Sequence, residues 1–588
     1  MTSAHGLPHW NLDGFFPEGK IDIYQALKVL EERFVKFGQV RKSLEGHEPL
    51  PAADFLKFLD QLEEIHREAQ LLAGYASLNF AQDTSDQKVQ SLMFKVDSVM
   101  AELENEVLFF SLWWKDLPDE QAAPLLEAAP RHRYMLTRER DLKKHTLTEA
   151  EEKIINLKDL TGCDFLTRLY DTITNAYLYR AEFLPPDQKR DLTREELMNY
   201  VRHHRPEYRA GAYQELYRVY GQAQATLGQI YQSLTQDWYY EEVVLRHHAS
   251  PIASRNKQND LKDETVESLL RVCQQKAPEV FGRYFKVKAQ RLGIPTLRRY
   301  DIYAPLKPAT KTYTFDQALK EVDQAFRAFD SEFADLALRV SKSNRLSALI
   351  SPGKQSGAFC SSTIPGETPW VLMNYQGHQH DLFTLAHELG HAVHSLLASN
   401  LSLFEFHSAL PMAETASTFG EMLLTEHFRK NCDQSDIESL SFSLLDDAYA
   451  TVGRQAFFSL FELEAHEMTN QGATVDELSK AYSQNLQKQF GDSVLVAPEF
   501  CHEWASIPHF FHTPFYVYAY AFGQLLVYSL WNLYQNEGPS FVPKMKAILA
   551  KGGSASPEEI LRQANLGPLD DHFWLGGFKV IESFIPKD

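Results

Sequence analysis

The sequence predicts a mainly α protein, and three observations carry the prediction. Stretch after stretch repeats apolar residues at spacings of three and four, the period of a helix with one buried face. Prolines such as Pro51, Pro118 and Pro130 punctuate the gaps between those stretches. Only two short apolar runs, Ala358 to Cys360 and Trp370 to Tyr375, are bounded by Pro and Gly in the manner of strands.

Taken in order, the first part reads as helices over 21–44, 52–78 and 86–114 and contains no chemistry. Thr146 to Glu152 puts a hydroxyl near a helix cap and acids in the first turn, which starts the next group. Helices follow over 192–201 and 208–237, with a polar loop over 250–260. The adjacent pairs His203-His204 and His247-His248 point away from each other on a helix, so they read as surface or core histidines. One long helix is expected over 314–342. Loop and strand follow, then the helix discussed below, then further helices over 438–463 and 475–487. These groups suggest an N-terminal helical domain over 1–145, a helical middle region over 146–310 and a catalytic region over 311–588.

Composition excludes several classes. A net charge of −20 argues against nucleic acid and anionic membranes as partners. The basic run from Arg131 to His145 reads as a solvated face. Residues 515–534 carry no charge and are long enough to span a bilayer. However, Tyr516, Tyr518, Tyr520, Gln524, Ser529 and Asn532 are too polar for a span, and basic flanks are missing. A buried helix with a tyrosine-lined face is expected instead. The five cysteines form no CxxC pair, which excludes a disulfide framework and a zinc–thiolate site and suits a reducing cytoplasm. Met1 to Pro8 shows neither a basic nor an apolar signal region, so no export signal is visible.

The chemistry centres on Thr384 to His394, which contains His387-Glu388-Leu389-Gly390-His391. On a helix the two histidines stand one turn apart on one face and can converge on one zinc ion. Glu388 is rotated off that face but stays beside the metal, where a general base for an attacking water must sit. The bland alternative is a helix with two ordinary histidines. Leu382, Phe383, Leu385, Leu389, Val393 and Leu396 make the helix apolar on most sides, and buried histidines need partners. Downstream, Glu414 lies in an otherwise uncharged run and is the candidate third ligand. Glu421, seven residues on, is the candidate acceptor for a ligating imidazole. Small residues at Ala413, Ala416 and Ser417 would let this segment approach the first helix closely. His394 lacks the spacing of a third histidine ligand and is expected to pack nearby. Asp381 is either the N-cap of the His387 helix or a partner of a ligand, with the cap favoured. A strand just before that helix could pair with an extended peptide, a plain structural hairpin being the alternative.

Taken together, these segments resemble the thimet-oligopeptidase-like zinc peptidases, in particular the oligoendopeptidase F branch. The resemblance rests on HELGHAVH from His387 to His394, followed by Glu414 23 residues beyond His391 in AETAST-F-x-E. Lys354-x-x-Gly357-Ala358 with Val371 to Tyr375, the Tyr-rich run from Phe515 to Ala521, and Gly552-Gly553-Ser554 to Pro557 are similar to further family segments. The resemblance implies a two-lobed multi-helix body around a deep channel, with the middle region in the channel wall and a small β-sheet next to the zinc helix. It implies one Zn2+ per chain and short unfolded oligopeptides as substrates, cut internally by a zinc-activated water with Glu388 as base. It places Gly357 and Ala358 beside the substrate, and a histidine and tyrosines at the oxyanion. His512, Tyr516 and Tyr520 are the first choices for that role, with His509 and Tyr518 close behind. A monomer or small homo-oligomer is expected. Three rivals remain: a zinc exopeptidase on a related scaffold, a zinc-stabilised peptide-binding protein without turnover, and a membrane protein built on 515–534.

Overall fold

In the computed structural model, residues 7–16, 19, 21–44, 50–306 and 311–586 are described. The reading of the first eight residues as lacking a signal falls mostly outside them. Helix dominates, and the starts of many helices are written in the sequence. Thr148, Thr193, Thr314 and Thr474 each cap a helix whose third residue, Glu151, Glu196, Gln317 or Glu477, reaches back to the cap backbone.

Several elements differ from expectation, each for a local reason. The stretch 314–342 is two helices, Phe315–Phe329 and Ser331–Lys342. Asp330 breaks it by turning extended and accepting the Phe333 N–H. The expected loop over 250–260 contains a helix, Pro251–Gln258, opened by proline at its first position. The uncharged run splits at Phe515 into a turn and a helix, Tyr518–Glu537. No helix among the described residues is long and apolar enough to cross a membrane.

Contacts divide the chain into two units. The first comprises Met1–Lys144, Lys311–Asn431 and Glu537–Leu566, and the second His145–Thr310, Cys432–Asn536 and Gly567–Asp588. Two of these boundaries fall beside those read from punctuation, but the region 311–588 is shared between the units.

The first unit packs Ile23–Gly38, Ala52–Gln82 and Gln87–Asp116 around Leu30, Phe34, Phe55, Leu59, Val96 and Trp114. It also holds a three-stranded sheet. Trp370–Leu372 lies in the centre, parallel to Leu346–Ser347 and antiparallel to Phe359–Ser361. Trp10 and Phe15 cover it by packing on Trp370 at ring distances of 5.7 and 5.8 Å. The Leu346–Ser347 strand was not legible, because two residues carry no period.

The second unit is built on the long helices Pro206–Trp238, Asp263–Leu292, Arg454–Asn470 and Val475–Phe490. Its core contains charge as well as apolar side chains. Arg299 and Glu503, each 1% exposed, pair at 2.7 Å, and Arg454 joins the same carboxylate at 3.0 Å. Lys288 is fully buried against Asp446 at 2.7 Å.

Candidate active site

Gln379–Leu397 carries the HExxH residues. Its N-cap is His378 and not Asp381. Asp381 occupies the third position, where its carboxylate accepts the N–H groups of Gln376 at 2.8 Å and His378 at 3.0 Å. That role fixes the helix start, so Asp381 serves the helix and not a ligand.

This helix packs most extensively against Thr415–Asn431. The close approach rests on glycine more than on the small residues singled out above. A Cβ on Gly390 would lie 2.5 Å from the Ala416 carbonyl oxygen, and one on Gly420 would lie 2.9 Å from that of Ala386. Backbone against backbone brings Glu414 to the histidines. Glu414 itself sits at a break, with φ −88° and ψ 6°, between Leu410–Ala413 and Thr415–Asn431. The Ser417 hydroxyl holds its Oε2 at 2.7 Å.

The donor set converges. Glu414 Oε2 lies 3.2 Å from Nε2 of His387 and 3.2 Å from Nε2 of His391. Two ligands of one tetrahedral zinc, bonded at ~2.0–2.1 Å, stand about 3.3 Å apart, so the set fits the ion. The Nδ1 of His387 is 2.5 Å from Glu421 Oε1. A carboxylate only accepts, so Nδ1 carries the proton and Nε2 is left as a donor of electrons. Without an ion, burial would lower the His387 imidazole, but bonding to Glu414 and Glu421 outweighs it and raises it to about 10. Burial would raise the Glu414 carboxyl, but the two imidazoles hold it far below the carboxylate range.

Glu388 is 5% exposed. Burial raises its carboxyl, with the two imidazoles opposing. It lines a cleft of about 420 Å³ together with His387, His391, Glu414, Ala358, Phe359 and Cys360. His394, Phe406, His407 and Ser408 also line it. His394 is pushed down to about 4 by burial, with His391 and His407 adding to it, so it is a neutral packing histidine. Phe406, His407 and Ser408 carry no motif, and no signal in the sequence could have found them. They are held from behind by the Gly552–Gly553 turn, whose Gly553 N–H donates to the Glu405 carbonyl at 2.8 Å.

The strand Phe359–Ser361 forms the sheet edge on this cleft. Lys354 ties its flank by donating to the carbonyls of Leu349 and Met373 at 2.6 and 2.8 Å. Ala358 faces the cleft, whereas Gly357 does not line it and adopts φ +80° in open space.

Among the described residues one other group has metal-ligand spacing, Asp159, Cys163 and Asp237. Burial and the surrounding acids push the Cys163 thiol up to about 12.

The second unit holds the histidine and tyrosine candidates, and it separates them. His509, Tyr516 and Tyr520 form one cluster. The His509 and Tyr516 rings lie parallel at 5.8 Å, and the Tyr520 hydroxyl is 3.3 Å from His509 Nε2. Burial, with the Tyr516 phenol, pushes the Tyr520 phenol up to about 12. His512 does not join them, because its Nε2 is engaged by Asp171 at 2.8 Å. Tyr518 is 0% exposed and accepts a hydrogen bond from Asn259 at 2.9 Å, which removes it from any substrate surface. On this geometry His509 replaces His512 as the imidazole that accompanies the tyrosines.

Comparisons with known proteins agree with the fold. The profile of peptidase family M3 matches residues 199–579, and that of Oligopeptidase F matches residues 113–177. The chain is 26% identical over 574 residues to oligopeptidase PepF of Bacillus subtilis, covering 95% of this chain and 83% of that protein. It is 25% identical over 550 residues to group B oligopeptidase PepB of Streptococcus agalactiae, covering 92% and 90%. In solved structures the fold is similar to that of a Chlamydophila abortus protein described as a peptidase, with TM-score 0.85, 23% identity and coverage of 96% and 98%. Oligoendopeptidase-F from Enterococcus faecium gives TM-score 0.71 at 21% identity, with coverage of 96% and 98%. A family match that spans most of the chain and includes the helix of His387 and His391 leads to one conclusion: this chain belongs to peptidase family M3.

Proposed function

We propose that the chain is a zinc-dependent endopeptidase that hydrolyses internal bonds of short, unfolded oligopeptides in the cytoplasm. The observation that carries this reading is the convergence of His387, His391 and Glu414, with 3.2 Å between donors, beside the buried and unligated Glu388. Zinc held by those three residues would supply Lewis acidity, polarising a carbonyl and lowering the pKa of water.

The remaining work falls to the chain. Glu388 takes the proton of the attacking water and passes it to the leaving amine. Burial raises its proton affinity, which favours the first transfer, and the more basic amine still accepts the proton in the second. Glu421 holds the tautomer and direction of His387. The edge strand Phe359–Ser361 offers backbone groups to an extended peptide. His509, Tyr516 and Tyr520 are the cluster that fits the oxyanion-stabilising role implied by the family resemblance. Five free cysteines support a reducing compartment.

The test uses an internally quenched peptide blocked at both ends, assayed with and without chelator, with zinc restored and the cut located by mass spectrometry. Internal cleavage lost with chelator and regained with zinc is expected. Absence of cleavage across a diverse peptide set, despite stoichiometric zinc, would overturn the reading. Cuts confined to the ends of unblocked peptides would make the protein an exopeptidase. Glu414→Ala should also leave substoichiometric metal after dialysis, and full retention would place the third ligand elsewhere.

A further inference from the structure

We propose that Glu462 and Arg255 are positioning residues: they lock one peptide group of the Thr513–Tyr516 turn and so set Tyr516 and Tyr520 against His509. The proposal rests on the reading of His509, Tyr516 and Tyr520 as the oxyanion-stabilising cluster.

The turn joins His509–His512 to Tyr518–Glu537. The Tyr516 N–H returns to the Thr513 carbonyl at 3.2 Å, which makes Pro514 and Phe515 its central residues. Phe515 has φ +56°. A bulky side chain rarely adopts that region, and glycine is the usual occupant. With proline first and positive φ second, the turn has the type II pattern. A type I turn would return Phe515 to negative φ, and it differs mainly by rotation of the peptide between the two central residues. That alternative is open to Pro-Phe without strain, so something must select against it.

The selection is visible at that same peptide. Its carbonyl, on Pro514, accepts from Arg255 Nε at 3.0 Å. Its N–H, on Phe515, donates to Glu462 Oε1 at 2.7 Å. Both ends of one peptide are gripped from different helices, Pro251–Gln258 and Arg454–Asn470. Rotation would break both bonds together. The Phe515 ring adds a third restraint, fully buried at 4.4 Å from the His466 imidazole. Glu462 is 1% exposed, and its Oε2 has no hydrogen-bond partner among the described residues. An acid buried to hold one backbone N–H is a costly arrangement that persists where the held conformation matters. Here that conformation carries Tyr516 directly. It also fixes the start of the helix of Tyr520, whose N–H returns to the Val517 carbonyl at 3.3 Å. Once the clamp is released, the peptide rotates and Tyr516 leaves its parallel stack on His509.

The test is a double-mutant cycle read by steady-state kinetics on the quenched peptide, with zinc content and melting temperature measured for each protein. Glu462→Leu removes the acceptor. It should lower kcat about 10- to 100-fold while KM stays within about two-fold, the pattern for groups that act in the transition state. Glu462→Gln keeps Oε1 and should retain at least about half of kcat. In a Tyr516→Phe/Tyr520→Phe background, Glu462→Leu should cost less than about three-fold, because both hydroxyls it positions are already gone. Equal losses in both backgrounds, an effect on KM alone, or no effect would overturn the proposal. If Glu462→Leu fails to fold, Arg255→Met removes the other grip on the same peptide, and its loss of kcat should likewise vanish in that background. A fully active Arg255→Met enzyme would overturn the proposal. Failure of the underlying reading is scored separately: it fails if His509→Ala and Tyr520→Phe themselves leave kcat unchanged.

Discussion

Burial of Glu388 governs how it can work. In the proposed mechanism a carboxyl 5% exposed is short of water, so a proton it collects would not be lost before the leaving amine needs it. Glu388→Gln keeps the shape and removes the base. Turnover should fall by roughly 10²- to 10⁴-fold with metal content unchanged, checked by kinetics beside metal analysis. Glu421 acts one step away, through His387 Nδ1 at 2.5 Å. Glu421→Ala should weaken metal affinity by roughly 10- to 100-fold, read by competition with a chromogenic chelator. At this scale the sequence was legible where chemistry is local. His387, Glu388 and His391 are fixed by one turn of helix, and Glu414 stands out because its neighbours carry no charge. The choice between His509 and His512 was not legible. It rests on the engagement of His512 by Asp171, 341 residues away in the sequence, which no local pattern announces.

Two facing glycines set the distance between the helices that build the site. Gly390 meets the Ala416 carbonyl and Gly420 that of Ala386, so any side chain at either position must move a backbone. Gly390→Ala should cost about 1–3 kcal/mol in denaturant unfolding. It should also lower metal affinity, because it pushes Glu414 away from both imidazoles. A loss of stability with unaltered metal binding would show that the helices slide without parting. One helix start was readable where a hydroxyl met an acid three residues on, Thr148 with Glu151. The break at Asp330 was missed because apolar period ran through it, and the helix Pro251–Gln258 was missed because polar composition hid it. Periodicity reports which face is buried, and says little about a single residue that turns the chain.

The whole molecule should show its buried titratable groups in its stability. His466 is pushed down to about 3 by burial, from an ordinary value of 6.5. The unfolded chain then binds the extra proton between those values, and stability is lost as pH falls through that window. Glu462 is pushed up to about 8 by burial, from 4.5. There the folded chain binds the extra proton, so stability is lost as pH rises from 4.5 through 8. Each group contributes at most roughly 1.4 kcal/mol per pH unit. The two slopes oppose each other between 4.5 and 6.5, and these groups together predict a plateau there with decline on both sides. Denaturation of the metal-free protein across pH checks this: His466→Gln should flatten the acid limb and Glu462→Gln the alkaline one. A buried ion pair gives a stronger test. Glu503→Ala strands Arg299 and Arg454 and should cost roughly 3–5 kcal/mol.

The interleaving of the two units also bears on how the protein is made. The chain passes from one unit to the other after Lys144, Thr310, Asn431, Asn536 and Leu566. The first unit lacks its last piece until residue 566 has emerged from the ribosome, and the second until the segment beyond 567 has followed. Domains usually complete themselves one after another during synthesis. Here both stay unfinished almost to the end, with apolar faces waiting for late partners. A nascent chain stalled at Asn536 should therefore bind chaperones strongly and be cut readily by proteases throughout its length, with no resistant half left behind.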